Sequence, residues 1–124
     1  MADLLTSLGF AASGMQAQAG RLRTLSENIA NADTPGYHRK TVSFEEIADG
    51  VTLGPVRLDR TEGARIYDPG HPLADESGYY DGSNVDLVIE IADAREAQRS
   101  YEANLRVFDQ ARQMTQGLFD LIRK

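Results

Sequence analysis

Near the start of the chain apolar side chains recur in alternating steps of four and three residues: Leu4, Leu8, Ala11, Met15, Gln18, Leu22, Leu25 and Ile29, with Gln18 the polar member. Such steps keep side chains on one stripe of an α-helix, and their persistence over several heptads marks a helix packed lengthwise against another. Asp3 is placed to cap this helix and no proline occurs before Pro35. The pattern predicts a helix over about residues 3 to 31, roughly 43 Å long at 1.5 Å per residue. A second pattern runs from about Val85 to Ile122 and predicts a helix of roughly 57 Å. In it Leu87, Ala94, Tyr101, Phe108, Thr115 and Ile122 repeat every seven, with Ala97, Asn104, Ala111 and Leu118 between them. Val107, Met114 and Leu121 form a neighbouring series. Two helices folded on one another cover one side of each, so this extra series is apolar surface for another chain to cover.

Between the helices the period changes. Asn31-Ala32-Asp33-Thr34-Pro35-Gly36 reads as a helix stop, because Asn tolerates a left-handed cap, Pro35 disfavours helix at Thr34, and Pro-Gly suits a type II turn. Short β-prone runs follow at 41 to 44, 51 to 53, 55 to 58 and 64 to 67, broken by Gly50, Gly54 and Gly63, and they predict a small hairpin or two. Residues 68 to 84 are dense in Gly, Pro, Asp and Ser and predict an ordered turn or extended loop. The expected fold is mainly α: long N- and C-terminal helices folded on one another as a hairpin, with a small β-hairpin and loop insertion between them. The expected division is residues 1–34 and 85–124, packing as one domain, with 35–84 as the middle segment.

A chain of 124 residues with 7% aromatics supports only a thin core, so surface is plentiful relative to interior. Gly9, Gly14 and Gly20 each cost a helix about 1 kcal/mol relative to Ala. Packing must supply the difference, and Gly14 among Ala11, Ala12 and Ala17 favours a close approach of helices. On the seam, Asn104 and Gln18 are either register-setting polar residues or partly exposed edge residues.

The formal charge of −6 is concentrated in the middle: residues 40 to 84 carry nine acids against four bases, while each end is near neutral. Near-neutral ends approach other chains without long-range repulsion, and an acidic middle argues against nucleic acid as a partner. Neither direct membrane insertion nor a cleaved secretory signal is expected, since no long apolar run and no basic leader occur in the sequence. The absence of cysteine removes thiolate chemistry. His38 and His71 have no second ligand at metal spacing and read as turn histidines; the adjacent carboxylates Glu45-Glu46 and Asp75-Glu76 read as solvated. Tyr79 and Tyr80, beside Pro72 and Gly78, either offer an aromatic contact to a neighbouring subunit or anchor the loop on the chain's own helix, the plainer of the two readings. No nucleotide-binding or nucleophile motif is present, so no catalytic, cofactor or metal site is expected. A self-contained helical-hairpin adaptor is the alternative to a filament-forming subunit.

Ala12-Ser13-Gly14-Met15 and Arg21-Leu22, followed by Glu27-Asn28-Ile29-Ala30-Asn31-Ala32-Asp33-Thr34-Pro35-Gly36-Tyr37, resemble the N-terminal signature of flagellar rod and hook proteins. Ser83-Asn84-Val85-Asp86-Leu87 and Glu96-Ala97-Gln98-Arg99-Ser100-Tyr101-Glu102-Ala103-Asn104 are similar to the C-terminal helix of the same family. Tyr67-Asp68-Pro69-Gly70-His71-Pro72, with Ala74-Asp75 and Gly78-Tyr79, is most similar to proximal rod members. The resemblance implies a structural subunit of the flagellar basal-body rod, either proximal or distal, in which the N- and C-terminal helices pair as an antiparallel coiled coil on the inner wall of a tube and the middle segment lies outside. It implies partners among copies of itself, other rod proteins and the MS-ring or rod-adaptor proteins. It also implies export without a cleaved signal through the flagellar type III apparatus, and a place in the rod across the periplasm. On this reading Leu8, Ala11, Gly14, Met15, Leu22, Leu25, Ile29, Tyr101, Asn104, Val107, Phe108, Met114, Leu118 and Leu121 pack subunits. Asn31, Pro35, Gly36 and Tyr37 form the helix-end turn, and Asp68, Pro69, Gly70, His71, Pro72 and Tyr79 the loop.

Overall fold

The structure is a computed structural model and describes residues 2–123. Its order is a long helix α1 (Ala2–Ala30), six short strands, and a longer helix α2 (Leu87–Arg123). The fold is mainly α, as the two periodic patterns predict. Asp3 lies inside the first turn of α1, so it does not stand ahead of the helix as its cap. Asp86 does cap α2: its carboxylate accepts from the Val88 N–H at 3.0 Å and its carbonyl from the Glu90 N–H at 3.0 Å.

After α1 the chain turns as Pro-Gly demands. The Tyr37 N–H donates to the Thr34 carbonyl at 3.2 Å, with Gly36 at φ 71° in the position of a type II turn that needs no Cβ. The strands then form three antiparallel pairs. β1 (Lys40–Thr41) pairs with β4 (Arg57–Leu58), and β2 (Phe44–Ile47) with β3 (Gly50–Leu53). These two pairs are the base and tip of one interrupted hairpin, bridged where the Gly54 N–H meets the Ser43 carbonyl at 2.8 Å. β5 (Arg65–Tyr67) pairs with β6 (Tyr79–Asp81). The sequence pattern places no strand at 79 to 81; three residues beside Gly78 and Gly82 are too short to show an alternation, and only pairing with β5 makes them one.

Helices α1 and α2 lie side by side in opposite directions. Asn28 of α1 meets Glu90 of α2, and Gly14 meets Asn104, so fourteen residues on each helix separate the two contacts. The core along this seam is small: Ala11, Ala17, Leu25, Ala97 and Ala111 are its buried apolar side chains. Small side chains let the backbones approach, and Gly14 takes this furthest. A Cβ there would stand 2.8 Å from the Asn104 amide. Gly20 similarly makes room for Leu53 of β3, whose Cδ1 a Cβ would meet at 2.3 Å, whereas a Cβ at Gly9 would meet nothing within 4 Å outside its own turn of helix.

Candidate assembly interface

The seam delivers a polar joint where α1 ends and α2 begins. Asn28 is fully buried and uses both ends of its amide. Its Nδ2 donates to the Lys40 carbonyl at 2.8 Å and to Glu90 Oε2 at 3.3 Å; its Oδ1 accepts from the Lys40 N–H at 2.8 Å and the Tyr37 hydroxyl at 2.9 Å. Glu90, also fully buried, accepts from Arg39 Nε at 2.6 Å. Arg39 also reaches Asp59 at 3.7 Å, and its N–H donates to Asn84 Oδ1 at 2.6 Å. The Asn84 amide in turn donates to the carbonyls of Asp59 and Thr61 at 2.8 and 3.0 Å. The Ser83 hydroxyl donates to the Ala32 carbonyl, and the Lys40 ammonium pairs with Glu27. Both helix ends, the turn and the hairpin base are thereby fixed to one another.

Electrostatics at the joint follow from these contacts. Partial burial pulls the Arg39 guanidinium down, but the hydrogen bond and charge of Glu90, aided by Asp59, outweigh it and leave it above its ordinary value. Burial raises the Tyr37 phenol, reinforced by the charge of Glu27 and opposed by Lys40. Two hydrogen bonds from Thr61 hold Asp59 below the usual carboxylate range, with Arg39 adding to them.

The residues expected to pack subunits divide into two sets. Ala11, Gly14 and Leu25 are buried, and Leu8, Met15, Leu22, Ile29, Tyr101, Asn104 and Phe108 are half-buried. These sit on the faces that α1 and α2 turn toward one another or at the edges of those faces. Val107, Met114, Leu118 and Leu121 are exposed. Leu118 belongs by sequence to the seam, yet the fourteen-residue register carries it beyond Ala2, where the described α1 begins, and it is 37% exposed. Asn104 stands at the contact with Gly14 but hydrogen-bonds to the Ser100 carbonyl of its own helix at 3.0 Å. Gln18 Oε1 is buried without a hydrogen-bond partner.

In the helix-end turn, Asn31 accepts through Oδ1 from the Thr34 hydroxyl at 3.1 Å, and Pro35 and Gly36 shape the bend that delivers Tyr37 to Asn28. In the loop, the Asp68 N–H donates to the Gly78 carbonyl at 2.8 Å, while Pro69, Gly70 and Pro72 form the turns around His71. His71 stacks on Tyr80 with centroids 3.9 Å apart, and its Nδ1 accepts from the Leu73 N–H at 3.1 Å. Tyr79 does not anchor on a helix. It packs on Tyr67, centroids 5.1 Å apart, beneath the Arg65 guanidinium, because β6 pairs with β5 and holds the two rings on neighbouring strands. Asp75 organises the loop by accepting from the N–H groups of Ser77 and Tyr79 at 2.9 and 3.0 Å and from Arg65 at 2.7 Å.

The joint residues Asn28, Arg39, Asn84 and Glu90 were not among the sequence-derived candidates. Glu90 carried a signal, being a lone acid within Leu87-Val88-Ile89-Glu90-Ile91. The structure inverts that run, burying the acid and exposing its apolar neighbours. Among the described residues, no three His, Cys, Asp or Glu side chains come together as metal ligands, and no helix is long and apolar enough to cross a membrane.

Comparison with known proteins accounts for both ends of the seam. The family model described as "Flagella basal body rod protein" matches residues 8–38, and that described as "Flagellar basal body rod FlgEFG protein C-terminal" matches residues 76–121. Asn28 lies in the first match and Glu90 in the second. The flagellar basal-body rod protein FlgC of Agrobacterium fabrum is 43% identical over an alignment covering 99% of this chain and 98% of that protein. FlgC of Salmonella typhimurium is 35% identical over 90% of this chain and 92% of that protein. FlgC of Aquifex aeolicus is 34% identical over 97% and 98%. With relatives aligned along nearly their whole length, and not at the helices alone, the chain belongs to the FlgC family of flagellar basal-body rod proteins, whose members are structural subunits and not enzymes.

Proposed function

We propose that copies of this chain polymerise with one another and with other rod proteins into the shaft that carries motor torque. In that shaft α1 and α2 wind as an antiparallel coiled coil on the inner wall, one domain formed by residues 1–34 and 85–124, and the middle segment 35–84 lies outside. The observation that carries this reading is the outer series of α2: Val107, Met114 and Leu121 are 50, 54 and 69% exposed, a stripe that repeats every seven residues and that the described residues leave open. Burying one such side chain stabilises an assembly by about 1.5–3 kcal/mol, and a repeating subunit multiplies the contact. The shaft spans the periplasm, meets the MS-ring or rod-adaptor proteins at its base, and is fed by unfolded chains from the type III export apparatus. Met114→Asp tests the stripe: cells carrying it are expected to make the subunit but no complete rod, and not to swim. Normal rods and swimming with Met114→Asp would sink the reading.

A further inference from the structure

Two surfaces of the chain are complementary and neither is satisfied within it. The first is the tip of the interrupted hairpin. Residues 44 to 53 contain Glu45, Glu46 and Asp49 and no base, and none of these acids forms an ion pair among the described residues. All of β2 is exposed; Glu45 and Ile47, the latter 49% exposed, share the face turned away from α1, whereas Phe44, opposite Leu53, borders a groove with Phe10 and Ser13 of α1. Its far edge is unpaired, since β2 and β3 form a two-stranded sheet. The hairpin is nonetheless held firmly on α1: the Val51 N–H donates to Ser13 Oγ at 3.2 Å, and Leu53 sits over Gly20.

The second surface is the outward flank of α2. Arg99, Ala103 and Val107 step by four, as do Arg106, Gln110 and Met114, so each row leads from an arginine to the apolar stripe. All six are exposed. Neither arginine forms an ion pair among the described residues, and with Arg95 they outnumber the two acids of that flank, Glu102 and Glu96, the latter paired with Arg21.

We propose that the β2–β3 tip of one copy docks on the α2 flank of a second copy, Ile47 against Val107 and Met114, with the acids of the tip, Glu45 foremost, facing Arg99 and Arg106. This rests on the reading that copies polymerise and assigns the contact between them. Apolar surface rimmed by acids on one side and by arginines on the other selects this pairing over acid on acid or arginine on arginine, where like charges would oppose contact. A rigid tip on α1 also loses little freedom on docking.

The chain has no cysteine, which makes the test direct. Ile47→Cys and Met114→Cys are made in separate chains of different tag length and mixed under mild oxidation, with Glu62→Cys replacing Ile47→Cys as the control; circular dichroism confirms that each retains its helices. The expected result is a mixed covalent dimer well above the control. Glu45→Lys with Glu46→Lys in the first chain should lower its yield about tenfold, and Arg99→Glu with Arg106→Glu in the second should restore it. A yield no higher than the control, a charge reversal without effect, or no restoration would overturn the docking. Polymers that form without this cross-link would overturn it while leaving polymerisation standing. A cross-linked dimer that obeys the charge swap but grows no further would support the docking and count against polymerisation.

Discussion

The two ends of the helix pair are organised by opposite means. Where α1 ends and α2 begins, the interior is polar: Asn28 and Glu90 are the largest fully buried side chains among the described residues, while Leu87, Val88, Ile89 and Ile91 are exposed. At the other end α2 continues beyond the described start of α1, and Leu118, Phe119, Leu121 and Ile122 are exposed there. A buried amide or carboxylate is stable only where its hydrogen bonds are met at definite distances and angles, so it fixes one register. Apolar surface is non-directional and stabilises whatever covers it. The chain uses direction inside, to set its own helix pairing, and leaves the non-directional surface for neighbours.

The largest expected effect breaks the polar end. Arg39→Met removes the ion partner of a carboxylate with no access to water, and stranding such a charge costs about 3–5 kcal/mol. Urea denaturation should show that loss, or no cooperative transition at all. Met114→Asp, on the exposed stripe, should leave the monomer within about 0.5 kcal/mol of the parent while abolishing assembly. If both changes lowered monomer stability alike, the contrast between a specified interior and an available exterior would fail.

The seam between the two ends gives a smaller effect. Gly14→Leu must displace Asn104 and is expected to cost about 1–3 kcal/mol, partly recovered in the double variant with Asn104→Ala. Gly9→Ala meets nothing within 4 Å and lies within the same helix, so it should stabilise the monomer by up to about 1 kcal/mol. Thermal unfolding of the two variants sharpens the comparison, since a loss at Gly9 equal to that at Gly14 would show that helix propensity, and not close approach, governs α1.

Both helices were legible because a seven-residue repeat states which side chains share a face, and twenty-nine and thirty-seven residues give it room to show. The repeat could not state where the partner helix stops. Leu118 therefore read as seam, although the register set by Asn28–Glu90 and Gly14–Asn104 carries it past the start of α1. The joint was hidden for a different reason. Asn28 beside Ile29 looks like an ordinary outward polar position, and Arg39 and Asn84 lie 45 residues apart, so only the folded backbone brings them together. β6 was hidden by shortness, and Tyr79 followed it, because a strand of three residues acquires its identity from its partner.

The smallest expected effect lies in the loop between β5 and β6, far from either contrast and governed by one carboxylate. The Tyr79 N–H lowers the pKa of Asp75 most; burial opposes it, and Arg65 and the Ser77 N–H add enough to leave the carboxyl below its ordinary value. A carboxyl depressed in the folded state contributes stability that is present above its unfolded pKa, about 3.9, and is lost as pH falls through the lower folded value. Acidification from neutral pH should therefore leave the loop intact to about pH 4 and loosen it below. Amide hydrogen exchange at Ser77 and Tyr79 reads this directly, with Asp75→Asn removing the pH step. Protection unchanged down to pH 2 would mean that the β5–β6 pairing and the Tyr67–Tyr79 contact hold the loop without the carboxylate.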